Sequence, residues 1–234
     1  KFYGPSTMRL GLEKSRNLMT VRLAQTIGME AISEYAQRFG IVDFLPEKLA
    51  MALGSGETTL LRITTAYAML VNGGKRITPT LIDRIQDRHG ETIFRHDRRN
   101  CVSCRATIWT RQETPAIADT RKPVTKPGSA YQVVSMLKGV VERGTGRRIR
   151  AVGKPLAGKT GTTNADKDTW FIGFSPDLAV GVFVGFDTPK TLGRRETGSS
   201  VAAPLFRDFM AAALEKKKAI PFRIPPGIRL VRVN

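Results

Sequence analysis

The chain has 234 residues, 41% hydrophobic and 25% charged, the balance of an ordinary globular protein able to bury a core of its own. Wholesale disorder and a fibrous repeat are excluded, and the longest apolar run, nine residues over 178–186, falls far short of the ~20 that a membrane-spanning helix needs. Lysine and arginine number 38 against 20 acidic residues, a net charge of +18 that suits either a solvated basic surface or an anionic partner. The sequence starts at Lys1, without Met or a leader, and reads as an internal or processed piece of something longer.

The first 75 residues are patterned for helix. Ser6 or Thr7 can cap a short helix over 8–14. After a break at Ser15-Arg16-Asn17, Leu18, Val21, Ala24 and Ile27 recur at helical spacing, and Gly28 closes that helix. Residues 31–39 form another, closed by Gly40. A longer helix over 59–71 stops at Asn72-Gly73-Gly74. Strand character follows: Ile77, Leu81 and Ile85 lead into a turn at 88–91 and a return strand over 92–95, a β-hairpin. Residues 96–128 carry Pro115, Pro123, Pro127 and both cysteines, and read as a surface loop or small insertion. Helix returns over 131–142 and breaks at Gly144-Thr145-Gly146. Strands are expected over 154–163, 169–174 and 178–186, the last two joined by a turn at Ser175-Pro176-Asp177. A helix over 202–217 and an extended tail over 219–234 complete the chain. Helices, then consecutive antiparallel strands, then a closing helix indicate an α/β (α+β) fold: an antiparallel β-sheet flanked by helices, not a doubly wound parallel sheet.

Several chemistries can be weighed from the residues. His89 and His96 are the only histidines, both on the hairpin, and two histidines there do not make a Ser-His-Asp triad. With Cys101 and Cys104 they place four possible zinc ligands within 16 residues, as His-x6-His-x4-Cys-x2-Cys. That order is unlike the usual zinc modules, and a local disulfide or two reduced thiols fit the cysteines better. No metal and no cofactor is therefore expected. The basic pairs are dispersed, with no nucleic-acid reading element beside them; a basic polyanion- or nucleic-acid-binding domain is the alternative, and nucleic acid is not expected. Residues 153–160 match G-x-x-x-x-G-K-[ST], but Pro155 interrupts the loop and strand, not helix, follows. Lys159-Thr160-Gly161 has another use on a strand, where a lysine, a hydroxyl and a glycine face a cleft. The ammonium and hydroxyl can grip a carboxylate, and a backbone N–H can serve an oxyanion. Ser15-Arg16-Asn17 supplies a Ser-x-Asn upstream, and the two motifs in this order accompany Ser-x-x-Lys in penicillin-recognising enzymes.

Longer stretches carry a resemblance: GLEKSRNLMTVRLAQ from Gly11, ETTLLRITTAYAMLVNGGKRITPTLIDRI from Glu57, MLKGVVERGTG from Met136, GKTGTTNADKDTWFIGFSP from Gly158 and FRIPPGIRLV from Phe222. The chain resembles the transpeptidase domain of class A penicillin-binding proteins, the bifunctional cell-wall synthases, and is most like the 1A type. The resemblance implies a β-lactamase-like fold, incomplete on its N-terminal side. It also implies a serine acyltransferase that cleaves D-Ala-D-Ala of peptidoglycan stem peptides, passes the acyl group to an amine, and is acylated by β-lactams. Carried over, Ser15 relays a proton, Asn17 holds the substrate amide, and Lys159 supplies positive potential and orients Ser15. Thr160 and Thr162 bind the terminal carboxylate, with Thr163 beside them; Gly161 leaves clearance, and the Thr162 N–H forms half of an oxyanion hole. A desolvated lysine in such a site takes the place of histidine as base.

The family's nucleophilic Ser-x-x-Lys should precede Ser15, and no such motif lies in the 14 residues available. Ser135-Met136-Leu137-Lys138 has the pattern, but in the wrong order and mid-helix. The resemblance thus implies the C-terminal part of one transpeptidase domain over 1–234, inactive alone, with apolar surface left uncovered and the missing N-terminal part of the same protein as its partner. A periplasmic parent anchored in the inner membrane upstream, near an anionic membrane surface, follows from it. A serine D,D-carboxypeptidase or β-lactamase is the alternative within the class.

Overall fold

The computed structural model describes residues 3–99, 101, 104, 108, 110–111, 113–115 and 117–231. Parts of the expected 96–128 excursion and the last three residues of the tail lie outside them. Helices α1 (Met8–Glu13), α2 (Asn17–Ile27), α3 (Met29–Arg38) and α4 (Leu60–Val71) come first. The Thr7 hydroxyl accepts from the Leu10 N–H and starts α1, and Thr59 caps α4 the same way at Arg62. Gly28, at φ +93°, turns the chain from α2 directly into α3. The hairpin is present as β1 (Arg84–Gln86) and β2 (Thr92–Arg95), antiparallel with a bulge after Ile85.

The hairpin's first strand begins seven residues later than the Ile77 pattern suggests. Residues 75 and 76 are paired elsewhere: Lys75 bridges Pro123, and the Arg76 N–H donates to the Lys122 carbonyl at 2.8 Å. That pairing returns the excursion to the body of the fold and delivers it into α5 (Pro127–Glu142). Helix α5 starts four residues ahead of expectation, because proline fits the first turn, where its missing N–H has no partner to lose.

The sheet has the order β3-β4-β5, antiparallel throughout, from β3 (Ala157–Thr162), β4 (Thr169–Phe174) and β5 (Ala179–Val184). Side chains alternate between its faces. On one face Phe171 packs with α6 (Ala203–Leu214) through Phe206 and Met210, all fully buried with Ile149. On the other, Phe174 and Ala157 pack with Val134 and Leu137 of α5 and with Tyr67 of α4. Phe222 of the tail closes on the Phe174 ring at 5.7 Å. A short π-helical turn, Gly198–Ala202, leads into α6 under a reciprocal cap between Thr197 and Ser200. Among the described residues no helix is long and apolar enough to cross a membrane.

Candidate active site

Three loci are brought together around β3. As the first strand of the sheet it has neighbours on one side only among the described residues, so its other edge is open. Alternation sends Lys159 to the face shared with α1 and α5, and Thr160 and Thr162 to the face shared with α6.

On the first face the Lys159 ammonium donates to the Ser15 hydroxyl at 2.8 Å, joining groups 144 residues apart, and to the Thr160 carbonyl at 3.0 Å. Ser15 occupies the turn between α1 and α2 in the left-handed region, φ +52°, which a residue with a side chain seldom adopts. Its N–H donates to Leu12 O, and the Arg16 N–H to Gly11 O. This turn aims the hydroxyl at β3 and opens α2 at Asn17, which is exposed. Burial pushes the Lys159 ammonium down to about 8, from an ordinary lysine value of 10.5. Lowered this far, the ammonium gives up its proton more readily than an ordinary lysine does, while in this structure it is the donor to Ser15.

On the second face the Thr160 hydroxyl meets the Thr145 hydroxyl at 2.7 Å, and the Thr145 carbonyl accepts from Ser199 Oγ at 2.8 Å. The Thr162 hydroxyl accepts from the Gly198 N–H at 3.0 Å. Gly198 must be glycine, since a Cβ there would run into the Gly161 and Trp170 carbonyls. At Gly161 itself an added Cβ would press on Trp170, so part of its clearance serves the neighbouring strand. Thr145 and Gly198 were not singled out by the sequence: Gly144-Thr145-Gly146 reads simply as a helix breaker, and nothing marks Gly198.

Other expectations separate from this cluster. Thr163 turns away from it, its hydroxyl accepting from the Asp168 N–H at 2.8 Å to close the β3–β4 connection. Ser135 is held by Arg9, which donates to its hydroxyl and carbonyl, while Lys138 pairs with Glu142. The Gly158-Lys159-Thr160 unit is strand, so the phosphate-loop geometry is not formed. Of the two readings of the cysteines preferred over zinc, the disulfide is the one found: Cys101 and Cys104 are joined and offer no thiolates, and His89 accepts from its neighbour Arg88. Among the described residues no group of three His, Cys, Asp or Glu could hold a metal.

Comparison with known proteins fits this arrangement. The penicillin binding protein transpeptidase domain family matches residues 1–211. The chain belongs to the penicillin-binding protein transpeptidase family. It is 49% identical over its whole length to penicillin-binding protein 1A of Rickettsia bellii, and 38% identical over 97% of its length to that of Neisseria gonorrhoeae. It spans only 30% and 27% of those two relatives. The crystal structure of penicillin-binding protein 1A from Haemophilus influenzae superposes with a TM-score of 0.82 at 32% identity, covering 97% of this chain and 37% of that one. The family's mixed fold of helices and antiparallel sheet is thus the fold found here, and Lys159-Thr160-Gly161 lies on its edge strand.

Proposed function

We propose that this chain is the C-terminal part of one transpeptidase domain and supplies the proton-relay and substrate-binding half of a serine D-Ala-D-Ala transpeptidase. The observation that carries the reading is the 2.8 Å contact from Lys159 to Ser15 beside an open strand edge. A stem peptide would add to β3 as a further strand, with Asn17 at its amide and the Thr160 and Thr162 hydroxyls at its terminal carboxylate. A serine from the part of the protein preceding these residues, giving its proton to the lysine of its own Ser-x-x-Lys motif, would attack the penultimate D-Ala carbonyl carbon. As the C–N bond breaks, Ser15 passes its proton to the departing amine and takes one from Lys159. The acyl group then moves to an acceptor amine, and a β-lactam would acylate the same serine. The Thr162 N–H would supply half of the oxyanion hole. Such a protein works in the periplasm, anchored in the inner membrane upstream, where a net charge of +18 suits anionic lipid and wall polymer.

The test is intact mass after incubation with a penicillin, on this chain and on the full-length gene product, together with a product assay separating cross-linking from hydrolysis. An adduct on the full-length protein alone, with cross-linked product, is expected. An adduct on this chain would place the nucleophile within it, and hydrolysis alone would favour the carboxypeptidase or β-lactamase alternative.

A further inference from the structure

Besides its contact with Lys159, the Ser15 turn is tied to the C-terminal end of α5, and that tie is built around a buried carboxylate. The Glu13 side chain is only 5% exposed, and Arg143 grips it with both edges of its fork, Nη2 to Oε1 at 2.5 Å and Nε to Oε2 at 3.3 Å. Two further links, one of them backbone to backbone, run alongside. The Glu13 carbonyl accepts from the Thr145 N–H at 3.2 Å, and Lys14 Nζ donates to the Arg143 carbonyl at 2.5 Å. Two glycines make room for this approach. A Cβ at Gly139 would overlap the Glu13 carboxylate, and one at Gly144 would overlap the Glu13 carbonyl. The next residue along, Thr145, reaches the other half of the site through its hydroxyl contact with Thr160. Residues 143–145 thus hold the Ser15 turn with one set of contacts and the β3 strand with another.

The Glu13 carboxylate is buried, but the Arg143 side chain is 53% exposed and also pairs with Glu142, so water screens the attraction and its contribution to stability is modest. What a fork on a buried carboxylate does supply is a fixed distance and direction. Here it acts two residues before Ser15, whose left-handed backbone needs surrounding contacts to hold it.

We infer that Glu13 is a positioning residue, which sets the Ser15 hydroxyl against the Lys159 ammonium through its ion pair with Arg143. The inference rests on the proposed proton relay through Ser15. Glu13 touches no substrate in this account and acts only by where it holds the turn. A displacement of about 1 Å in such a contact can cost on the order of 10²-fold in rate.

The test uses the full-length gene product and the second-order rate of acylation by a penicillin, with thermal melting as the measure of fold. Glu13→Gln removes the charge while keeping the shape, and Arg143→Lys keeps the charge while losing the fork. Each should slow acylation by about 10²-fold with the cooperative melt retained. The Glu13→Gln/Ser15→Ala double variant should be no slower than Ser15→Ala alone. A structural role would instead multiply the two losses, and that result overturns the inference. So does acylation at the wild-type rate in a folded Glu13→Gln or Arg143→Lys protein while Ser15→Ala is slow. If one variant fails to fold, the other carries the same comparison. Wild-type rates in Ser15→Ala would sink the relay reading itself, and this inference with it.

Discussion

Helices α2 and α6 are almost equal in length, eleven and twelve residues, and both carry an apolar stripe. Their fates differ. Helix α6 buries Ala203, Phe206, Met210 and Leu214 against the sheet. Helix α2 buries only Ala24, leaving Leu18 at 55% and Ile27 at 53% exposed. The sheet side of the molecule is therefore densely packed, whereas α2 rests lightly on the short turn Leu49–Leu53 and on its neighbouring helices and leaves much of its apolar surface exposed. The candidate site straddles this divide, with Lys159, Thr160 and Thr162 on the packed side and Ser15 and Asn17 on the open one. The Lys159 ammonium and the Thr160 and Thr162 hydroxyls are set by the core, and the Ser15 hydroxyl is set by a few polar ties.

Substitutions should separate the two sides by size of effect. Phe206→Ala, deep in the α6 contact, should lower stability by about 3–5 kcal/mol in denaturant unfolding. Gly158→Ala should cost about 1–3 kcal/mol, since the added Cβ would lie 2.6 Å from the Phe171 ring and 2.7 Å from the Ile172 carbonyl. Lys159→Met should act in the opposite direction, raising stability at pH 7 by about 1–2 kcal/mol once the lost hydrogen bonds are set against relief of the buried charge. The sign follows from the lowered pKa: the folded chain binds this proton more weakly than the unfolded chain does. The penalty is full below about 8 and fades as pH rises toward 10.5, and the advantage of Lys159→Met should fade with it. Leu18→Ala, on the open face of α2, should change stability by less than about 0.5 kcal/mol. A loss as large as that of Phe206→Ala would show α2 to be packed after all.

Local signals carried far into the fold. The 169–174 strand is observed with the bounds its apolar pattern suggests, and Thr59 caps α4 where the helix was expected to begin. Period-two alternation even determines that Lys159 and Thr160 face opposite ways. What the residues alone do not encode is the meeting of Ser15 with Lys159 across 144 positions, which only the resemblance anticipated. Thr145, Gly198 and the Glu13–Arg143 pair were hidden for a related reason. A glycine next to a threonine marks a break locally, and its second use emerges only when another element packs into the gap it leaves. Thr163 shows the converse, a motif-adjacent hydroxyl that local loop closure claims first.

The most direct test of the central claim is the pH dependence of penicillin acylation in the full-length gene product. If protonated Lys159 supports the Ser15 relay, the rate should fall on the alkaline side with a midpoint near 8, the value to which burial lowers that ammonium. The limb should disappear in Lys159→Met, leaving a slow, flat profile. A wild-type rate that holds level through pH 10, or a limb that survives the substitution, would contradict the account.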